Sequence, residues 1–381
     1  MKSLLLIIIF LLSLIEFISS YKLLNTFNHG SRISKICQVK INIANLRLNY
    51  VASGSIEDGS IKIWDIKNGI LKYTFNKTNG GHSGQIYSLA SFENGYLASA
   101  SIDKTVKIFD LSSGKLLFTF DQSNGGHSSP IRSLASLQNG NLASGSEDRS
   151  IKIWDILNGK LKFTFDRSNG GHSGWVWSIV NIGDGYLASG SDDGAVKIWD
   201  VTNGRLKFTF DNAHSARVQS LASLENGYLA SGSDDETIKI WDTKNGILKF
   251  TFSSANGGHS APINSLASLE NGYLASGSRD SKIKIWDVTN GKLKYTFDRL
   301  NGGHYYAIQS LTELDNGYLA SGSADSKVKI WDITNGKLIS TIDSSDSHSE
   351  EITTLASLDN GYLASGSRDK TVKIWDIQNS I

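Results

Sequence analysis

The stretch Leu274–His304, LASGSRDSKIKIWDVTNGKLKYTFDRLNGGH, occurs in eight near-copies along the 381-residue chain. Its aromatic-Asp pair recurs as Trp64-Asp65, Phe109-Asp110, Trp154-Asp155, Trp199-Asp200, Trp241-Asp242, Trp286-Asp287, Trp331-Asp332 and Trp375-Asp376, at intervals of 45, 45, 45, 42, 45, 45 and 44 residues. A period near 45 marks a repeat architecture in which each unit is one supersecondary element. Four short runs in and just before the quoted stretch, INSLASL, YLASGS, KIKIWD and KLKYTF, are rich in Ile, Leu, Tyr, Phe and Trp and bounded by turn residues, which reads as four strands. Asn271-Gly272 and Asn290-Gly291 tolerate the positive φ of tight hairpin turns at two of the three connections. Each unit is therefore expected to be a four-stranded antiparallel sheet.

No helical periodicity interrupts the pattern, and a lone four-stranded sheet cannot bury its apolar positions. Radial stacking buries both faces of every sheet, and a closed ring protects the innermost edges. The recurring His, LASGSxD and the closing Trp-Asp resemble the WD-repeat β-propeller family over essentially all of residues 21–381. That resemblance implies an all-β, eight-bladed β-propeller of four-stranded antiparallel sheets. Only IQNSI follows Trp375-Asp376, too little for a last outer strand, whereas KLLNTFN (22–28) resembles KLKYTFD (292–298). In this family the two chain ends often complete one blade together, so an N-terminal strand, residues 22–27, is expected to complete the last blade.

The 38 Lys plus Arg nearly cancel the 37 Asp plus Glu, for a net charge of +1, so no global field draws the protein to nucleic acid or an anionic membrane. The first twenty residues differ: Lys2, an apolar run from Leu4 to Ile15, then small polar residues. This is the layout of a signal peptide, residues 1–20, cleaved after Ser20. Cleavage would leave a protein of residues 21–381 with no stable membrane anchor, secreted or held in the secretory pathway. An uncleaved N-terminal anchor is the competing reading. The single cysteine, Cys37, cannot form an internal disulfide, and it aligns with Ala90 as a small buried residue. Asn76-Lys77-Thr78 is a glycosylation sequon in an outer loop.

All eight histidines hold one repeat position: His29, His82, His127, His172, His214, His259, His304 and His348. Six residues before each aromatic stands an Asp, from Asp58 and Asp103 through Asp148, Asp193, Asp235, Asp280 and Asp325 to Asp369. A His, an Asp and several Ser per unit suggest catalytic triads. The family resemblance implies otherwise: His, turn Asp, a Ser of LASGS and the Trp, such as Trp154, Trp199, Trp286 or Trp331, form a hydrogen-bonded chain that pairs buried polar atoms within a blade. The first serine, as in Ser276, is favoured for the hydroxyl, and Phe109 leaves the second chain one bond short. No metal site is expected, because histidines about 45 residues apart lack ligand spacing. Nor is a cofactor, since the NGGH segments lead into strands and not into the helix a phosphate loop needs.

Recognition must then be written where the copies differ. Counted from each His, the third residue reads Arg32, Gln85, Pro130, Trp175, Arg217, Pro262, Ala307 and Glu351, and the fifth Ser34, Tyr87, Arg132, Trp177, Gln219, Asn264, Gln309 and Thr353. The residue before the turn Asp varies too, and includes Asp192, Asp234 and Arg279. By the resemblance these positions line one face of the ring around its central channel. Tyr87, Arg132, Trp175, Trp177 and Arg217 form the richest part, and Trp, Tyr and Arg are the residues enriched among interface anchors. Two roles fit the extra tryptophans: anchors for a partner, or fillers between blades and in the channel. Tyr305 and Tyr306 replace a small pair in the seventh unit and extend the same face. The leading reading is a non-catalytic scaffold that binds a protein or peptide on that face. A carbohydrate-binding, lectin-like propeller is the alternative, and a propeller hydrolase a third, although no acid, base or nucleophile stands out from the repeat.

Overall fold

The computed structural model describes residues 22–43, 46–314, 317–343, 346–359 and 361–377, so the expected signal peptide lies outside the described residues. The described chain forms eight four-stranded antiparallel sheets, each built from four strands adjacent in sequence except the last. The sixth blade is typical: Ile263–Leu269, Tyr273–Ser278, Ile283–Asp287 and Lys292–Phe297 follow one another across the sheet. In the eighth, Lys22–Asn28 pairs antiparallel with Thr371–Asp376, Phe27 opposite Val372. The two ends of the chain thus complete one blade, as the truncated last repeat requires.

Packing between blades explains the fixed letters of the repeat. The glycine of each LASGS lies where the next blade presses closest, and a Cβ on Gly277 would stand 2.5 Å from Ile308 Cγ2. The contact recurs in seven blades, with Ala100 at this place in blade 2, and Gly366 of blade 8 meets Ile33 of blade 1 in the same way to close the ring. Farther out, the Phe that ends the outermost strand in seven blades packs on the closing aromatic of the next, while Ile342 takes that place in blade 7 against Trp375. Phe120 lies 4.3 Å from Trp154 and Phe297 4.5 Å from Trp331, and Phe27 closes the circle 4.7 Å from Trp64. Aromatic stacking adds to the area that each ring removes from water, so each seam is an apolar core of its own.

The first strands face one another around the axis and contact their neighbours all the way round. Being edge strands, they need partners for their outward N–H groups. A serine six residues after the His supplies one: Ser88 Oγ accepts from Leu134 N at 3.1 Å, and Ser133, Ser220, Ser265 and Ser310 do the same for Ile179, Leu266, Leu311 and Leu355. Five seams are laced this way among the described residues. Blade 1 carries Lys35 at this position, and the enclosure lowers its ammonium pKa. Cys37 packs against the core shared by blades 1 and 2, where burial pushes its thiol up to about 12.

Candidate functional site

The His, Asp, Ser and Trp of each unit meet inside their blade. In blade 6, Trp286 Nε1 donates to Ser276 Oγ at 2.9 Å, Ser276 Oγ lies 2.8 Å from His259 Nε2, and His259 Nδ1 lies 2.9 Å from Asp280. Blades 3, 4 and 7 repeat the chain through Trp154, Ser144, His127 and Asp148, through Trp199, Ser189, His172 and Asp193, and through Trp331, Ser321, His304 and Asp325. Blade 2 has Phe109, so Ser99 meets His82 alone, and His82 meets Asp103. The hydroxyl comes from the first serine of LASGS throughout. Each arrangement has the composition of a catalytic triad, but Ser99, Ser144, Ser189, Ser276 and Ser321 are all 0 % exposed. No substrate reaches those hydroxyls.

Blade 1 departs from the expected chain. His29 contacts Ser53 at 2.8 Å and Ser60 at 2.9 Å, and it reaches Asp58 only through the Ser60 hydroxyl, which donates to that carboxylate at 2.7 Å. Without a directly bonded carboxylate to oppose it, burial takes the His29 imidazole down to about 4. At His82, His127, His172, His259, His304 and His348, burial lowers the imidazole more than the partner Asp raises it. Burial alone would raise Asp280, but the bond from His259 and the attraction to it outweigh that and hold the carboxyl below its usual range.

The varying residues lie at the mouth of the channel, and a backbone irregularity puts them there. In every blade the register slips across the fifth residue after the His, for example between Ile263 and Ser265, leaving Asn264 unpaired. Such bulges re-aim side chains. The fourth residue turns inward and is buried in all eight blades, Ile33 and Val176 at 0 % exposure among them. The fifth is released to touch its counterpart in the next blade.

These contacts build a belt. Arg132 lies 4.1 Å from the Tyr87 ring and 4.6 Å from the Trp177 ring, and Arg217 covers Trp177 at 4.1 Å. Four blades are spanned by alternating rings and guanidiniums. Each such contact contributes about 0.5–2 kcal/mol, more where water is excluded. Carboxylates hold the cations in place: Arg132 is bound to Glu147, and Arg217 donates to Asp192 at 2.8 Å with Asp234 at 3.7 Å. Trp177 Nε1 donates to Asp192 as well, at 2.7 Å. On the far side Asn264 Nδ2 donates to Gln309 Oε1 at 3.3 Å, Gln309 bonds Glu351, and Thr353 Oγ1 donates to Ile33 O at 2.9 Å.

At blade 5 the belt leaves two buried acceptors unsatisfied among the described residues. The side-chain oxygens Gln219 Oε1 and Asp234 Oδ1 are shielded yet take no hydrogen bond from the protein. Two roles considered for the tryptophans are thereby divided. Trp177 is the filler, clasped between two guanidiniums. Trp175 is 41 % exposed and rests at 6.0 Å and 37° against Trp177. Arg279 is exposed and donates only to Asn264, at 3.1 Å.

Eight segments of the chain, 21–65, 72–110, 114–155, 159–200, 204–242, 248–287, 291–332 and 336–376, are matched by a family model described as WD domain, G-beta repeat. The chain belongs to the WD40 family. WD40 propellers are typically non-catalytic scaffolds for protein interaction. Among solved structures, it is similar to the computationally designed Ika8 protein, with 30 % identity and a TM-score of 0.77, over 93 % of this chain and 100 % of that one. No curated protein sequence matches it.

Within this WD40 ring, Tyr87, Arg132, Trp177, Arg217, Asp192 and Asp234 come together, and Trp175 joins them through Trp177. Tyr305 and Tyr306 stand apart, 62 % and 63 % exposed, the Tyr305 carbonyl accepting from Arg299 Nη2 at 2.7 Å. Among the described residues no ring contact or hydrogen bond joins them to the belt. Glu147, at the same variable position before the turn Asp as Asp192, supplies the carboxylate that holds Arg132. The lacing serines escaped the sequence reading, and the recurrence of serine six residues after the His in six of the eight units was the available signal. At the sequon, Thr78 Oγ1 donates to Asn76 Oδ1 at 2.7 Å on the exposed loop after strand Ile70–Phe75.

Proposed function

We propose that this WD40 propeller is a non-catalytic scaffold that binds a protein or peptide at the belted mouth of its channel. The observation that carries this reading is Trp175, 41 % exposed on a pre-ordered platform of alternating rings and guanidiniums at the channel mouth. An anchor whose support is already rigid loses little freedom on binding. A leader spanning residues 1–20 places this scaffold in the secretory pathway on the same reading, and Asn76 is then available to a glycan. Sequencing of the mature N-terminus tests the route, with Tyr21 as the expected first residue and an intact Met1 as the contrary result.

Partner capture tests the site. Proteins from the compartment in which the propeller resides are captured on wild type and on Trp175→Ala/Arg217→Ala, and the bound species are quantified. Specific partners should be lost from the double variant while its unfolding midpoint changes little. Undiminished binding would reject the mouth as the recognition surface.

A further inference from the structure

On the face opposite the mouth, the seam between blades 8 and 1 differs from the six other seams whose turn glycine is described. In those six, each Asn-Gly or Ser-Gly turn after the closing aromatic-Asp pair is covered by an aromatic side chain from the preceding blade. A Cβ on the turn glycine would stand 2.4–2.6 Å from that ring at Gly114, Gly159, Gly204, Gly246, Gly291 and Gly336, against Tyr73, Phe118, Phe163, Phe208, Phe250 and Tyr295. The seventh turn glycine, Gly69 with φ +68°, meets Asn25 instead. The next residue inward changes as well. Lys72, Lys207, Lys249 and Lys294 lie 3.6–4.3 Å above the rings of Tyr50, Tyr186, Tyr228 and Tyr273, and the clasp strand places Leu24 at this repeat position beside Tyr362.

Two short, uncharged side chains in place of a ring and a lysine leave a cleft of about 710 Å³ between blades 8 and 1. The equivalent clefts between blades 6 and 7 and between blades 3 and 4 measure about 370 and 420 Å³. The larger one has the volume of a small-molecule site. Its walls differ in kind. Leu24 and the half-buried Tyr362 offer an apolar face, while Asn25, Asn49, Asp65 and Asn68 offer polar edges. Asn25 Nδ2 is committed to Ile66 O at 3.2 Å, and Asn68 Nδ2 to Asp65 at 2.9 Å, so their amide oxygens point the local chemistry toward acceptance. An occupant must be ring-shaped to fill the vacated aromatic place, apolar on one face, and rimmed with donors. Asp65 and Asp359 outnumber Lys67 in the lining, which disfavours an anion.

We infer that this cleft binds a neutral pyranose, its C–H face on Tyr362 and Leu24 and its hydroxyls donating to Asp65 and the asparagine oxygens. The site is separate from the mouth and does not rest on the partner-binding reading. Saturation-transfer NMR and calorimetric titration with glucose, galactose, mannose and N-acetylglucosamine test it on the whole protein. At least one sugar should bind saturably. Asn25→Phe, which restores the ring of the other seams, should weaken it about tenfold or more without lowering the unfolding midpoint, and Leu24→Lys should weaken it independently. Trp175→Ala should leave it unchanged. Saturable binding by none of the four sugars, or equal binding to both cleft variants, would overturn the inference.

Discussion

At the residue scale, the protein buries all eight histidines, and outside blade 1 each sits between a serine hydroxyl and a turn carboxylate. A neutral imidazole with its proton on Nδ1 donates to Asp and accepts from Ser, whose oxygen accepts from the indole N–H, so every polar atom is paired. Protonation of Nε2 would turn two donors toward each other and force the serine hydroxyl to its 3.4 Å alternative at Lys284 O. The lowered imidazole pKa at His29, His82, His127, His172, His259, His304 and His348 fixes the sign of the pH effect. In the unfolded chain these groups bind protons near pH 6.5, while the folded form resists them, so stability falls as pH drops below about 6.5. Urea midpoints measured at pH 7.5, 6 and 5 should decrease in that order. A flat or rising series would mean the imidazoles are charged in the fold. Asp280→Ala should cost about 1–3 kcal/mol by leaving a buried donor unpaired, measured by chemical denaturation, and no loss would remove the carboxylate from its structural role.

At the element scale, the first strand of each blade performs two tasks that its regular alternation conceals. Strand boundaries, turns and the variable third and fifth positions could be read directly, because Asn-Gly pairs and repeated letters are local signals. The bulge could not, since a one-residue register slip leaves the letters unchanged. Without the bulge, Tyr87, Arg132 and Trp177 appear as separate candidates. With it they become consecutive members of one stack, and the sequence gives no sign of which cation meets which ring. Lacing serines follow the same lesson. Ser133→Ala leaves the edge N–H of Ile179 without its partner and should cost about 1 kcal/mol, with faster amide exchange at Ile179 than at Ile153 in the same seam. Unchanged protection would show that the serine contributes nothing to the edge. Trp177→Ala should likewise free Arg132 and Arg217 and raise the side-chain mobility of Trp175, seen as a loss of fluorescence anisotropy.

At the scale of the whole molecule, a ring is only as firm as its last seam, and here that seam depends on seven residues at the start of the chain. The missing outer strand of the last repeat and its likeness to residues 22–28 made the clasp legible, because the pattern of the other seven units leaves one vacancy and one spare strand. What escaped notice was the cost of spelling the clasp differently: Leu24 and Asn25 keep the strand paired while opening a cleft beside it. Closure is carried by Phe27 on Trp64, by Gly366 against Ile33, and by six backbone pairings to strand Thr371–Asp376. Removing Lys22–Phe27 exposes the edge of the last blade and the Trp64 face together. The decisive measurement is therefore equilibrium unfolding of the intact protein and of the deletion lacking Lys22–Phe27, followed by tryptophan fluorescence and by small-angle scattering. A lower midpoint, a less cooperative transition and an expanded, opened particle are predicted for the deletion. An unchanged midpoint with an unchanged compact ring would contradict the account.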